Sequence, residues 1–190
     1  MNKEELIARL DAPIKFQMVA DCTSIIESYD VEVDIDDVLD ISFHKKKEIA
    51  FRAAWMLEYM MTRKAARFCP YVPKLLTLLP KLENQSAMRH YVKIIALVTD
   101  RKAFPIYKEL VKQIDFEPVI EVLFVWLLEP ETLVATKVHC MQALANLVPR
   151  YDWIEEELVE TIDYLMGVES IAFFARAKMV KKQLKKVAGK

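Results

Sequence analysis

The sequence predicts an all-α fold, a right-handed α-α superhelical solenoid of about four to five helix pairs in a single domain over 1–190. Three observations predict it. Apolar residues recur at spacings of three and four along almost the whole chain. Prolines punctuate the segments, at their first turns or just past their ends. Lys15, Arg52 and Arg89 stand 37 residues apart, and each opens a helix followed by a second one on an apolar face. Lys137 comes 48 residues later and Arg176 a further 39, so one repeat carries an insertion, placed around 101–114. With 2 glycines in 190 residues, a sheet built on tight glycine turns and a glycine-rich phosphate loop are both excluded.

The elements follow in order. The start, MNKEELIARLDAP, is charged and amphipathic, and is read as a helix rather than a signal peptide. Strand-like alternation is confined to Val31–Ile35, read as a loop into a short acidic helix near Asp36–Ser42. Phe51, Ala54, Trp55, Leu57 and Met61 form one apolar helical face. Pro70 suits the start of the next helix and Pro80 stops it at about Leu79. Asn84 or Ser86 opens the helix of Val92, Ile95 and Val98, and the insertion holds a short extra helix over Phe104–Val111. Phe116–Leu128 is bracketed by Pro118 and Pro130. Thr132 is expected to cap the next helix, which Pro149 ends. Asp152 and Glu155 form a candidate capping box for a helix closing at Gly167, and a basic C-terminal end runs over 176–190.

Four stretches carry a family resemblance: Phe51-Arg52-Ala53-Ala54-Trp55-Met56-Leu57-Glu58, Cys69-Pro70-Tyr71-Val72, the run 135–144 (ATKVHCMQAL), and Phe174-Ala175-Arg176-Ala177-Lys178. Over about residues 45–187 the chain resembles an uncharacterised family of small bacterial proteins, seen chiefly in the Bacteroidetes and built from HEAT-like repeats. The resemblance implies a HEAT/armadillo-like fold and no particular chemistry. A more distant similarity is to HEAT-like DNA alkylation repair glycosylases, although no catalytic aspartate is placed here by motif.

Charge is balanced overall, at −1, but unevenly distributed. Residues 1–44 hold 3 basic and 11 acidic side chains, and residues 45–112 hold 15 and 5. Residues 113–168 hold 2 and 11, and residues 169–190 hold 7 and 1. In a repeat fold such blocks become patches that either pair with one another or steer a partner. The leading expectation is a non-enzymatic interaction module for a protein or peptide partner, with nucleic-acid binding by the basic stretches as the alternative. The longest uncharged run, Val138–Pro149, is too short to span a bilayer, so no membrane role and a cytoplasmic location are expected.

Candidate contacts to a partner or an anion are Lys45, Lys46, Lys47, Arg52, Arg89, Lys137, Trp153 and Arg176. The lysine triplet opens a helix, where positive charge opposes the macrodipole. Arg52, Arg89, Lys137 and Arg176 recur near helix starts, positioned to reach a carboxylate or the carbonyl end of a neighbouring helix. Trp55 and Trp126 are expected to fill the core, while Trp153, beside Tyr151, is the tryptophan expected to be partly exposed and able to anchor a partner. No catalytic, cofactor or metal motif is found. His44, His90 and His139 lack ligand-spaced companions, and the carboxylates Glu155, Glu156 and Glu157 open a helix, where negative charge is favoured. Cys22, Cys69 and Cys140 are too dispersed for a disulfide framework and are read as reduced, buried thiols.

Overall fold

The computed structural model describes residues 1–13, 18–28 and 32–188 of the chain, with side chains left out at 18, 19 and 186–188. Lys15, first of the 37-residue series, lies outside the described residues, as do the last two residues of the basic end. Among the described residues every regular element is helical, as the apolar periodicity predicts. The chain divides into two compact units, Met1–Tyr91 and Val92–Lys190.

The first unit is organised around one long helix. Its elements are α1 (Lys3–Asp11), α2 (Met18–Glu27), α3 (Ile35–Ile41), α4 (Lys47–Arg63), α5 (Ala65–Phe68) and α6 (Val72–Leu78). The start of α7 (Gln85–Val98), which runs on past the division, completes it. Helices α1, α2 and α3 all pack on α4. Helix α4 accepts three neighbours because small residues, Ala50, Ala53 and Ala54, lie between Ile49, Met56, Leu57, Met60 and Met61 on its buried side. Close helix approach at the alanines combines there with flexible methionines that fill what remains. Two 3₁₀ turns, Cys69–Tyr71 and Leu79–Lys81, flank α6, each carrying a proline early in the turn. Leu82 ends the segment in extended geometry, near where Pro80 was expected to stop it.

In the second unit, α8 (Pro105–Val111), α9 (Glu117–Leu128), α10 (Val134–Leu147), α11 (Ile154–Leu165) and α12 (Ile171–Ala188) follow the remainder of α7. Helix α10 is the hub here, packed against α9, α11 and α12. It buries Thr136, Cys140, Met141, Ala143, Leu144, Ala145 and Leu147, residues spread around its circumference rather than along one stripe.

Several terminal expectations need correcting. Asn84 is the cap of α7, its Oδ1 accepting from the N–H groups of Ser86 and Ala87 at 3.0 and 3.1 Å. Thr132 does not cap α10: Leu133 holds that position without a side-chain bond, and Thr132 is buried just ahead of it. The Asp152–Glu155 box is not made either. Trp153 occupies the cap of α11 with φ −59° and ψ −24°, and the Glu155 N–H donates to the main-chain oxygen of Asp152 at 3.1 Å. The chain is already turning helically there, whereas a side-chain cap requires an extended residue. Gly167 has no left-handed conformation, and α11 ends on Met166 in right-handed geometry. Trp55 is also displaced from its expected role. It is half-buried and stacked on Tyr59 at 5.4 Å, the core side of α4 being filled by the alanines and methionines.

Candidate interaction surface

Part of the basic block pairs with part of the acidic block in the first unit. Lys46 reaches Asp11 at 2.6 Å, Lys64 reaches Glu27 at 3.7 Å, Arg67 reaches Glu32 at 3.5 Å and Lys74 reaches Asp36 at 2.6 Å. The bond to Asp36 raises the Lys74 pKa above its ordinary value. Arg52 donates from Nη1 to the carbonyl oxygens of Leu10 and, at 3.0 Å, Ala12, closing the C-terminal end of α1. Arg67 likewise donates to the Val33 carbonyl. These cations are engaged in holding α1, α2 and α3 to the rest of the unit. Each exposed pair adds little stability alone, about 0–1 kcal/mol.

The candidate residues therefore fall into different settings. Lys45 and Lys47 are exposed at the start of α4, beside Lys46 with its bond to Asp11. Arg52 caps a neighbouring helix, Arg89 is exposed, and Arg176 is half-buried on α12. Lys137 is 1 % exposed, its Nζ 2.5 Å from Glu169 Oε1 in the connection between α11 and α12. Similar positions near helix starts thus give four distinct environments, and these four residues form no common site within either unit.

The buried polar groups have the following settings. His90 pairs through Nδ1 with Glu58 at 2.7 Å and packs against the Phe51 ring, with Nε2 buried and unpartnered among the described residues. His44 Nδ1 accepts the Lys46 N–H at 3.1 Å, a turn contact. All three cysteines are buried and unbridged. Desolvation pushes the Cys22 thiol up to about 11 despite the opposing charge of Arg52, and it raises Cys69 and Cys140 as well. Thiols held neutral in this way are poor nucleophiles. Among the described residues no group of three or more His, Cys, Asp or Glu side chains is placed to hold a metal ion. No helix among them is long and apolar enough to cross a membrane. A cavity of about 290 Å³ lies beside Arg9, Asp21 and Cys22, lined by residues of α1, α2 and the start of their connection.

The second unit differs in its surface. All the large apolar side chains exposed among the described residues lie there, with the exception of Phe43. Three of them, Trp153, Val125 and Leu128, stand with the half-buried Phe124 on α9 and the start of α11. Trp153, 48 % exposed at the start of α11, stacks on Phe124 of α9 with centroids 6.2 Å apart and an interplanar angle of 26°. Val125, 60 % exposed, and Leu128 share the same side of α9, since residues 117, 121, 124, 125 and 128 return to one face at the helical period. The turn holding Trp153 is fixed from behind. The Tyr151 hydroxyl accepts the Phe116 N–H at 2.9 Å, and Arg150 donates to the carbonyls of Val111 and, at 3.0 Å, Ile114.

Carboxylates rim this aromatic pair. Glu117 and Glu121 are exposed on the same face of α9, and Glu156, Glu157 and Glu160 follow Trp153 along the outer face of α11. Both basic residues of the 113–168 block are engaged, Lys137 with Glu169 and Arg150 with main-chain carbonyls. Of the block's eleven carboxylates, only Asp163 is ion-paired among the described residues, with Lys181. Among the described residues, five carboxylates of 1–44 (Asp11, Glu27, Glu32, Asp36 and Asp40) are ion-paired, against one of 113–168. Sequence reasoning reached Trp153 but missed Phe124, Val125 and Leu128. The signal was available in α9 itself: EPVIEVLFVWLL carries more large apolar residues than one buried face can hold. Compared with protein-family models, curated proteins and solved structures, the chain matches none.

Proposed function

We propose that this chain is a non-enzymatic protein-interaction module, a right-handed helical-repeat domain of the HEAT/armadillo type acting in the cytoplasm. The single observation that carries the reading is the exposed Trp153 stacked on half-buried Phe124, with the exposed Val125 and Leu128 on the same side of α9. Exposed aromatic and aliphatic side chains gathered on one rigid face mark interaction surfaces, and tryptophan is enriched among residues that dominate binding energy. The repeat architecture is supported by the succession of short helices with short connections, α9 to α12 packing through α10. Binding of nucleic acid through the stretch 45–112 is the less supported alternative. Lys46, Lys64, Arg67 and Lys74 already face the chain's own carboxylates, and phosphate binding needs cations free to replace counterions.

The test is site-specific photo-crosslinking. A benzophenone side chain placed at Val125, and separately at Arg89 as a control, is irradiated in lysate of the source cells. The proposal expects a discrete protein adduct from position 125 that survives nuclease treatment and is absent from position 89. Adducts that vanish with nuclease, or the same pattern from both positions, overturn it.

A further inference from the structure

We infer that the Phe124–Trp153 face receives a basic segment carrying aliphatic side chains, in chemistry an amphipathic Lys/Arg–Leu helix of another protein. The inference rests on the interaction-module reading and adds the partner's class. Charge complementarity selects the occupant. The two helices that carry the stack also carry exposed carboxylates, Glu121 one turn before Phe124 on α9 and Glu156, Glu157 and Glu160 after Trp153 on α11. None of these is ion-paired among the described residues, and Lys137 and Arg150, the two basic residues of 113–168, are engaged elsewhere. In the first unit, by contrast, five carboxylates of 1–44 receive the chain's own cations. An acidic rim left open around an apolar centre disfavours an acidic or nucleic-acid occupant, because like charges would be desolvated against each other. A cationic segment meets the opposite situation. Its aliphatic stems cover the rings while their charged ends reach the rim, and Arg or Lys over an exposed indole adds a cation–π contact.

Helix α9 has twelve residues, giving a face about 18 Å long at 1.5 Å per residue, enough for three turns of a docked helix. Two side chains on successive turns of such a helix would flank the stack. No rearrangement is needed, since Tyr151 and Arg150 already hold the turn that presents Trp153.

The experiment uses the full chain and three fluorescein-labelled 18-residue peptides in anisotropy titrations at 150 mM salt. One is an amphipathic Leu/Arg helix, one places Glu at the Arg positions, and one keeps Arg but replaces Leu by Ser. The inference expects the Leu/Arg peptide to bind at least tenfold tighter than either of the others. Trp153→Ala should weaken it about tenfold, as should the isosteric set Glu156→Gln, Glu157→Gln and Glu160→Gln, which leaves the packing in place. Equal binding of the Leu/Glu peptide, or full affinity in the glutamine variant, overturns the inference. So does self-association of the purified chain that Trp153→Ala abolishes and the peptide blocks, which would give the face to a second copy. If no basic peptide binds while the crosslink at position 125 still captures a protein, the partner class is wrong and the module reading stands. If both experiments fail, both fall.

Discussion

Lys137 and Glu169 allow the sharpest energetic prediction. The lysine is 1 % exposed near the N-terminal end of α10, where the helix's own partial charge opposes a cation, so its neutralisation depends on the Glu169 carboxylate 2.5 Å away. Glu169→Gln keeps the volume and one acceptor oxygen but leaves the ammonium without a counter-charge. Removing one partner of a buried pair costs about 3–5 kcal/mol. Glu169 retains 14 % exposure, so water relieves part of the penalty and the lower end, about 3 kcal/mol, applies. At a urea slope of about 2 kcal/mol per molar, the unfolding midpoint should fall by about 1.5 M with the slope unchanged. Replacing both, Lys137→Met with Glu169→Gln, removes the stranded charge and should restore most of the loss. Urea titrations followed by circular dichroism give the three midpoints. A Glu169→Gln midpoint within about 0.25 M of wild type would refute the claim that the pair is buried and coupled.

Other outcomes follow from the same structure. The thiol pKa of Cys22 rises on folding from 9.0 to about 11, so unfolded chains ionise first as pH rises and stability must fall through that window. Each such thiol contributes up to about 1.4 kcal/mol per pH unit, and Cys140, also raised, adds to the decline. Urea midpoints at pH 8 and 10.5 should differ less in Cys22→Ala/Cys140→Ala than in wild type, and an equal difference would show the thiols to be uninvolved. Trp126, 9 % exposed, should cost about 3–5 kcal/mol when replaced by alanine, whereas Trp153→Ala should cost less than about 1 kcal/mol. The reverse order of midpoints would place the wrong ring on the surface.

What the sequence revealed and what it hid have separate physical causes. Helices bounded by proline, such as α6 and α9, were legible because the missing N–H and the fixed φ act locally. The extra helix in the insertion, α8 at Pro105–Val111, was legible for the same reason. The cap of α11 was not, because tertiary bonds decide it. Tyr151 and Arg150 tie the preceding turn to the α8–α9 connection and hold it helical, so Asp152 has no extended conformation from which to cap. Trp55 failed as a core residue because alanines, not large rings, set the distance between α4 and its neighbours. The charge blocks were visible as counts, but counts cannot say which block meets its complement. Arg52 on the Leu10 and Ala12 carbonyls and Lys137 on Glu169 show that a basic residue near a helix start can meet unlike partners.

Hydrogen–deuterium exchange on the full chain, with and without saturating Leu/Arg peptide, tests the central claim most directly. An acidic, aromatic docking face predicts added protection in α9 and in the first turns of α11, with slowed exchange around Phe124 and Trp153 and no change in α1 to α4. Protection confined to the lysine-rich start of α4, or spread evenly over both units, would contradict it.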